Sequence, residues 1–205
     1  MSSGWDFVKA RNNGSLRIVD IETTDLLRLT RFPATEPYWG KGKAYRFDDP
    51  AQVFGVTYAA FTIDVAFSET ILHQKGCFID NQWMINESNV MERSVVTYTR
   101  PGNQSLKIAE LTGKSLKAIG LNNDICSSDD YTTSMAISSA LHAQLHDVDG
   151  ILYVSRQMNT DLAVALFERS NVQVDGNATK FIDHADFDAL LKSFNVTILP
   201  SGKAP

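Results

Sequence analysis

Between Leu26 and Phe47 the chain carries five cations, Arg28, Arg31, Lys41, Lys43 and Arg46, against the single acid Glu36, although its net formal charge is −5. A chain that gathers its cations in one segment and is acidic elsewhere offers that segment to an anion. Tyr38 and Trp39 stand beside these cations, and Tyr45 and Phe47 follow. Flat apolar faces therefore accompany the charge, and a phosphate-bearing aromatic ligand fits better than bare phosphate. A solvated basic loop would have the same composition. Further along, Ile63, Ala66, Phe67 and Ile71 cover one arc of a helical projection, and Glu69 falls about 60° beyond Ala66, at the edge of that apolar face. A carboxylate there either looks into a cleft beside the core or snorkels to water. Ser155 ends the apolar run 150–155, where a side chain at a strand terminus can point into a cleft. No Ser-His-Asp pattern or GxSxG elbow accompanies it, so it reads as a hydrogen-bonding group and not a nucleophile.

Two other signals carry less. His142 and His146 are four residues apart, but against Ile137 as the centre of the apolar face they project at about 140° and 180°, on the solvent side. No HExxH pattern supports a metal pair there, and no metal is expected. The run Gly40-Lys41-Gly42-Lys43 lacks the spacing of a P-loop and leads into no clear helix. It reads as a flexible cationic lip of a cleft or as a solvated loop.

These side chains must be positioned by an α+β domain. Strands are expected at 26–31, 55–60, 95–100, 106–111, 151–155, 163–168 and 196–199, each rich in β-branched or aromatic residues and bounded by turn formers. Helices are expected at 64–74, 135–145 and 185–194, with Thr62, Thr133 or Ser134, and Asp183 as N-caps. Strands outnumber helices without regular βα alternation, which favours a mixed or antiparallel sheet over a doubly wound one. At 205 residues one domain suffices: an N-terminal extension over 1–25 packed on a domain over 26–200, and a flexible tail over 201–205. Every apolar run is interrupted well before the length of a membrane span, and the N-terminus lacks the apolar core of a signal peptide. Cys77 and Cys126 are isolated thiols without CxxC spacing, which suits a reducing cytoplasm. A pI near 5.3 argues against direct nucleic-acid binding.

Five short pieces fall in a familiar order: Leu27-Arg28-Leu29, Tyr45-Arg46-Phe47-Asp48-Asp49-Pro50, Val56-Thr57-Tyr58-Ala59, Ser68-Glu69-Thr70, and Asp149-Gly150-Ile151-Leu152-Tyr153-Val154-Ser155-Arg156. Together they resemble the RES domain family, named for an arginine, a glutamate and a serine, for which this chain offers Arg28, Glu69 and Ser155. The resemblance spans roughly residues 26 to 170. It implies a fold similar to the ADP-ribosyltransferase and diphtheria-toxin group, with NAD as substrate. It further implies a toxin of a toxin–antitoxin pair that depletes NAD by phosphorolysis or hydrolysis. Transfer of ADP-ribose to a protein, or a catalytically silent relative that binds a nucleotide or a partner, are the alternatives.

On that resemblance the catalytic set is Arg28, Glu69 and Ser155, and the NAD-binding set is Arg28, Arg46 and Tyr58. A guanidinium donates in a planar fork suited to diphosphate or ribose oxygens. Tyr58 would stack on the nicotinamide ring, and Glu69 would stabilise positive charge developing on the ribose. Ser155 would position the substrate by a hydrogen bond. The order Arg, Glu, Ser differs from the Arg, Ser, Glu order of many arginine-type ADP-ribosyltransferases, so their detailed roles do not carry over. The implied partners are inorganic phosphate or water as acceptor and a small helical antitoxin with a helix-turn-helix. A homo-oligomer is possible.

Overall fold

The computed structural model describes residues 4–200. Helix α1 (Phe7–Asn12) and strand β1 (Ile18–Ile21) precede β2 (Leu27–Thr30), and a long loop then leads to β3 (Val56–Ala60). One continuous helical stretch follows in three parts: α2 (Ile63–Phe67), a π-helical turn (Ser68–Leu72) and α3 (His73–Lys75). The chain continues through β4 (Cys77–Ile79), β5 (Gln82–Asn86), α4 (Ser88–Met91), β6 (Ser94–Thr99), β7 (Leu106–Glu110), α5 (Gly113–Ala118) and α6 (Asp124–Ser127). It ends with α7 (Thr132–Gln144), β8 (Gly150–Val154), β9 (Leu162–Phe167), β10 (Gln173–Val174), β11 (Thr179–Lys180), α8 (Phe187–Ser193) and β12 (Val196–Leu199).

The main sheet runs β1-β7-β8-β9-β3-β2-β6-β10, with β11 also on β6, and a smaller sheet runs β12-β5-β4. Only β7–β8 and β12–β5 pair in parallel, so this is the expected α+β domain with a mixed, mostly antiparallel sheet. Both faces of the main sheet are buried, as alternation along its central strands shows. Ile151, Tyr153, Ala165 and Phe167 enter the larger core with the helices, while Leu152, Val164 and Leu166 join Ile108, Val96 and Tyr98 on the other side. Successive side chains of a strand point to opposite faces, which is why these strands read as near-continuous apolar runs.

All seven expected strands and three expected helices form, with no end shifted by more than three residues. The hairpin β4–β5 was not expected, because its turn is Asp80-Asn81, where both residues adopt positive φ (49° and 62°) without the Asn-Gly signature of such turns. Thr62 caps α2, accepting from the Val65 amide. The other caps differ from expectation. Helix α7 begins at Thr132, whose amide is taken by Asp130, and Ser134 is buried with its hydroxyl turned back to the Tyr131 carbonyl. Asp183 lies in a separate 3-10 turn, and α8 starts after Asp186.

One irregularity of the sheet matters most. Strand β2 pairs with β6 over four residues but with β3 only at Leu27 opposite Ala60. The start of β3 is instead held by Gly40 of the long loop, through Gly40 N–H to Val56 O and Val56 N–H to Gly40 O, both 3.0 Å. β2 and β3 thus splay apart, and the cleft opens where they part.

Candidate active site

The cleft encloses about 690 Å³, within the range occupied by small-molecule sites. Arg28, Arg46, Tyr58 and Glu69 all line it, and Ser155 stands behind Glu69. Arg28 fills the gap between the splayed strands. Its Nη1 donates to the Tyr58 carbonyl at 2.9 Å, an acceptor that β2 would satisfy in a regular ladder, and its Nε donates to Glu36 Oε1 at 3.1 Å. The Glu36 side chain is only 2% exposed, and its other oxygen accepts from the Tyr38 amide at 2.9 Å. Arg28 is therefore fixed in direction by one buried carboxylate and one carbonyl. A fork held this way loses little freedom when it meets a ligand.

Glu69 lies in the π-helical turn, an irregularity that recurs at functional sites. Its Oε1 accepts the Ser155 hydroxyl at 2.6 Å and the Gln157 amide at 3.4 Å. Ser155 in turn accepts from the Met158 amide at 3.1 Å. Ser155 is 1% exposed, directs its proton at the Glu69 carboxylate and is not itself part of the cleft lining.

The Tyr-Arg-Phe-Asp-Asp-Pro segment explains itself as a set of pins. Asp48 accepts from the Ala44 and Tyr45 amides through Oδ2 and from the Tyr58 hydroxyl through Oδ1. Asp49 accepts from the Ala51 and Val53 amides and from the Ser139 hydroxyl. Burial pushes the Asp48 carboxyl up from its ordinary value, against the pull of its hydrogen bonds, and pushes the Tyr58 phenol well above an ordinary tyrosine. The Tyr58 oxygen also accepts the Phe47 amide at 2.9 Å. Its hydroxyl being engaged on both counts, Tyr58 offers the cleft its ring, which meets Tyr45 edge-on at 5.7 Å. Arg46 is nearly buried. Its Nη1 donates to the Ile125 and Ser128 carbonyls at 3.0 and 2.9 Å, and its guanidinium sits 4.6 Å over the Tyr131 ring.

Other members of the basic segment lie elsewhere. Lys41 pairs with Glu168 at 2.9 Å and, like Lys43, is outside the cleft lining. The Gly-Lys run is thus no lip of the cleft. Trp39 packs against the second core cluster, while Tyr38 and Phe32 are exposed at the cleft mouth. His142 does not face solvent: its ring stacks on Phe54 with centroids 3.7 Å apart, because α7 is buried on more sides than its Ile137 arc shows. His146 is exposed and lies past the end of α7. Among the described residues no three His, Cys, Asp or Glu side chains come together as a metal site. Nor is any helix there long and apolar enough to cross a membrane. Cys126 is buried, which pushes its thiol up to about 11.

Arg31, Glu36 and Arg93 also line the cleft, and none of them was singled out as a site residue from sequence. Arg31 lay inside the basic segment and Glu36 was its only acid, so both had a signal. Arg93 had none.

A chain from the crystal structure of the M. tuberculosis MbcT–MbcA toxin–antitoxin complex has a similar fold, with a TM-score of 0.60 and 17% identity, over 90% of this chain and 94% of that one. At that identity the likeness is one of fold alone. No curated protein matches the sequence. The RES domain family matches residues 16–188, a span that takes in the cleft and every strand of the main sheet, and the chain belongs to that family.

Proposed function

We propose that this protein is an enzyme that cleaves the nicotinamide–ribose bond of NAD, with inorganic phosphate or water as acceptor. We further propose that it acts as the toxin of a toxin–antitoxin pair, restrained by a small helical antitoxin carrying a helix-turn-helix. Family membership supports the reading, as does the fold shared with a chain of a toxin–antitoxin complex. The observation that carries it is the composition of one cleft: a fixed guanidinium at Arg28, aromatic rings at Tyr58 and Tyr45, and an oriented carboxylate at Glu69.

NAD brings a diphosphate, two riboses and two flat bases, and each finds a chemical counterpart here. When the C1′–N bond breaks, its electron pair neutralises the nicotinamide nitrogen and positive charge passes to the ribose. Glu69, held by Ser155 and the Gln157 amide, is a fixed anion for that charge and needs no reorganisation at the moment of reaction. An oxygen of phosphate or water then bonds to C1′ and releases its proton to solvent or a neighbouring base. Arg28 and Arg46 hold the anionic part of the substrate, and Tyr58 supplies a face for the leaving ring.

Incubation of the pure protein with NAD, with and without phosphate, and resolution of the products by mass tests the reading. Nicotinamide is expected in both cases, with ADP-ribose 1″-phosphate only where phosphate is the acceptor. Glu69→Gln keeps an acceptor for Ser155 while removing the charge, and should lower turnover by roughly 10²–10³-fold with little change in NAD affinity. Near-normal turnover in folded Glu69→Gln protein would remove this carboxylate from the mechanism. Intact NAD after prolonged incubation with wild-type protein would remove the activity.

A further inference from the structure

One end of the cleft holds charges that the proposed chemistry leaves without a task. Strands β2 and β6 run antiparallel with their last pair at Thr30 opposite Ser94, and Arg31 and Arg93 are the next residues beyond that end of the two strands. Like charges brought together in this way repel one another. Both side chains nevertheless line the cleft. Arg93 is 7% exposed, and its Nε donates to the Asn89 carbonyl at 3.1 Å. Arg31 Nη2 donates to Asn89 Oδ1 at 2.9 Å, and Arg31 Nε lies 3.5 Å from a Glu92 oxygen without reaching hydrogen-bond geometry.

Arg28, which the proposed chemistry already sets on the anionic part of the substrate, lines the same cleft and its charge acts on Arg93. Burial, and then the charges of Arg31 and Arg28, draw the Arg93 guanidinium down to about 10, so it stays cationic at neutral pH under repulsion from both. The acids nearby do not answer all three arginines. Glu36 is committed to Arg28, and the Glu92 side chain is 57% exposed, where water screens it. A nearly buried guanidinium with like-charged neighbours and no paired carboxylate is unfavourable unless an anion completes the site.

We propose that Arg31 and Arg93, together with Arg28, form a subsite for a tetrahedral phosphoryl group at the end of the cleft defined by β2 and β6. Guanidinium forks match phosphate oxygens in planar, bidentate geometry. A dianion among three cations relieves the repulsion between them. The phosphoryl group has two sources with the same chemistry: the diphosphate of a bound dinucleotide, or free inorganic phosphate. Only the choice between these sources rests on the proposed activity; the subsite itself does not.

Calorimetric titration of the full chain with inorganic phosphate, with NAD, and with NAD in the presence of saturating phosphate tests this. Arg93→Lys keeps the charge but loses the fork, and Arg31→Gln removes the charge from a half-buried side chain. A thermal melt of each variant verifies folding. Each variant is expected to weaken binding of phosphate or of NAD by roughly tenfold or more, about 1.4 kcal/mol. Competition between phosphate and NAD, or a loss confined to NAD, assigns the subsite to the diphosphate. Simultaneous binding of both assigns it to free phosphate. Wild-type affinity for both ligands in folded Arg31→Gln and Arg93→Lys proteins would overturn the subsite. Arginine-dependent anion binding in a protein that never consumes NAD would discard the activity and leave the subsite standing.

Discussion

His142 illustrates how a polar side chain can be given an apolar task. Its ring lies flat on Phe54 and edge-on to Phe167 at 5.2 Å. Burial, reinforced by the nearby Arg169 charge, draws the imidazole down from 6.5 to about 4. The folded ring therefore refuses a proton that the unfolded ring accepts. Above about pH 6.5 both states are neutral and the stacking contributes fully. As the pH falls from 6.5 through 4 the unfolded chain gains protons first and stability is lost. His142→Phe keeps a flat ring and removes the titration, so its melting temperature should fall less between pH 7 and pH 4 than that of wild type. Equal losses in the two proteins would place the acid sensitivity in other groups. The same economy holds in the cleft, where Ser155 donates to Glu69 and Glu36 accepts from Arg28. Neither role follows from residue type, since each depends on which partner lies within 3.1 Å.

Strands β8 and β9 form the element on which the site rests, because β8 delivers Ser155 and β9 carries β3 beside it. Their close approach depends on Gly150. A Cβ built there would stand 2.4 Å from the Ala165 carbonyl oxygen and 3.0 Å from Leu166 Cα, both backbone atoms that cannot swing away. Gly150→Ala should cost about 1–3 kcal/mol, as overpacking of a core does, measured as a lower midpoint in urea. An unchanged midpoint would mean that the strands separate there at no cost. Both strands were anticipated from their apolar runs, at 151–155 and 163–168, one residue later than they form. The splaying of β2 from β3 was not, because it arises from a bridge between Gly40 and Val56, and no local pattern announces a bridge to a loop. The π-helical turn at Ser68–Leu72 is hidden for a similar reason: the apolar spacing from Ile63 to Ile71 fits an α-helix well enough to mask the extra residue in the turn.

Across the whole molecule the sheet must curl. Strands β6 and β7 are five places apart in the sheet order, about 24 Å in a flat sheet. The connection between Thr99 and Leu106 could span about 25 Å only if fully extended, yet it contains the 3-10 turn Pro101–Asn103. Arg100 closes the curl. It donates to the Ser105 carbonyl and makes a two-point pair with Asp149 at 2.9 and 3.1 Å, while Asp149 also accepts the Lys107 amide. Arg100→Met would leave a largely buried carboxylate without its cation and should cost about 3 kcal/mol, read from denaturant unfolding. A loss below about 0.5 kcal/mol would class the pair with exposed ion pairs and leave the curl to apolar packing alone.

The sequence by itself determined the class of this fold, the positions of its main strands, and a shortlist of reactive side chains. Each of these is encoded locally, in apolar periodicity, turn residues and the order of short motifs. It also marked the segment rich in arginine and aromatic residues from which Arg28, Arg46 and Tyr45 reach the cleft. The tertiary structure alone decided that Arg93 joins Arg31 in the cleft lining, that Ser155 bonds to Glu69, that Glu36 bonds to Arg28, and that Lys41 turns away to Glu168. The reason is physical: the register between strands far apart in sequence sets which side chains oppose one another. That register is fixed by the packing of both sheet faces at once, which no window of residues contains.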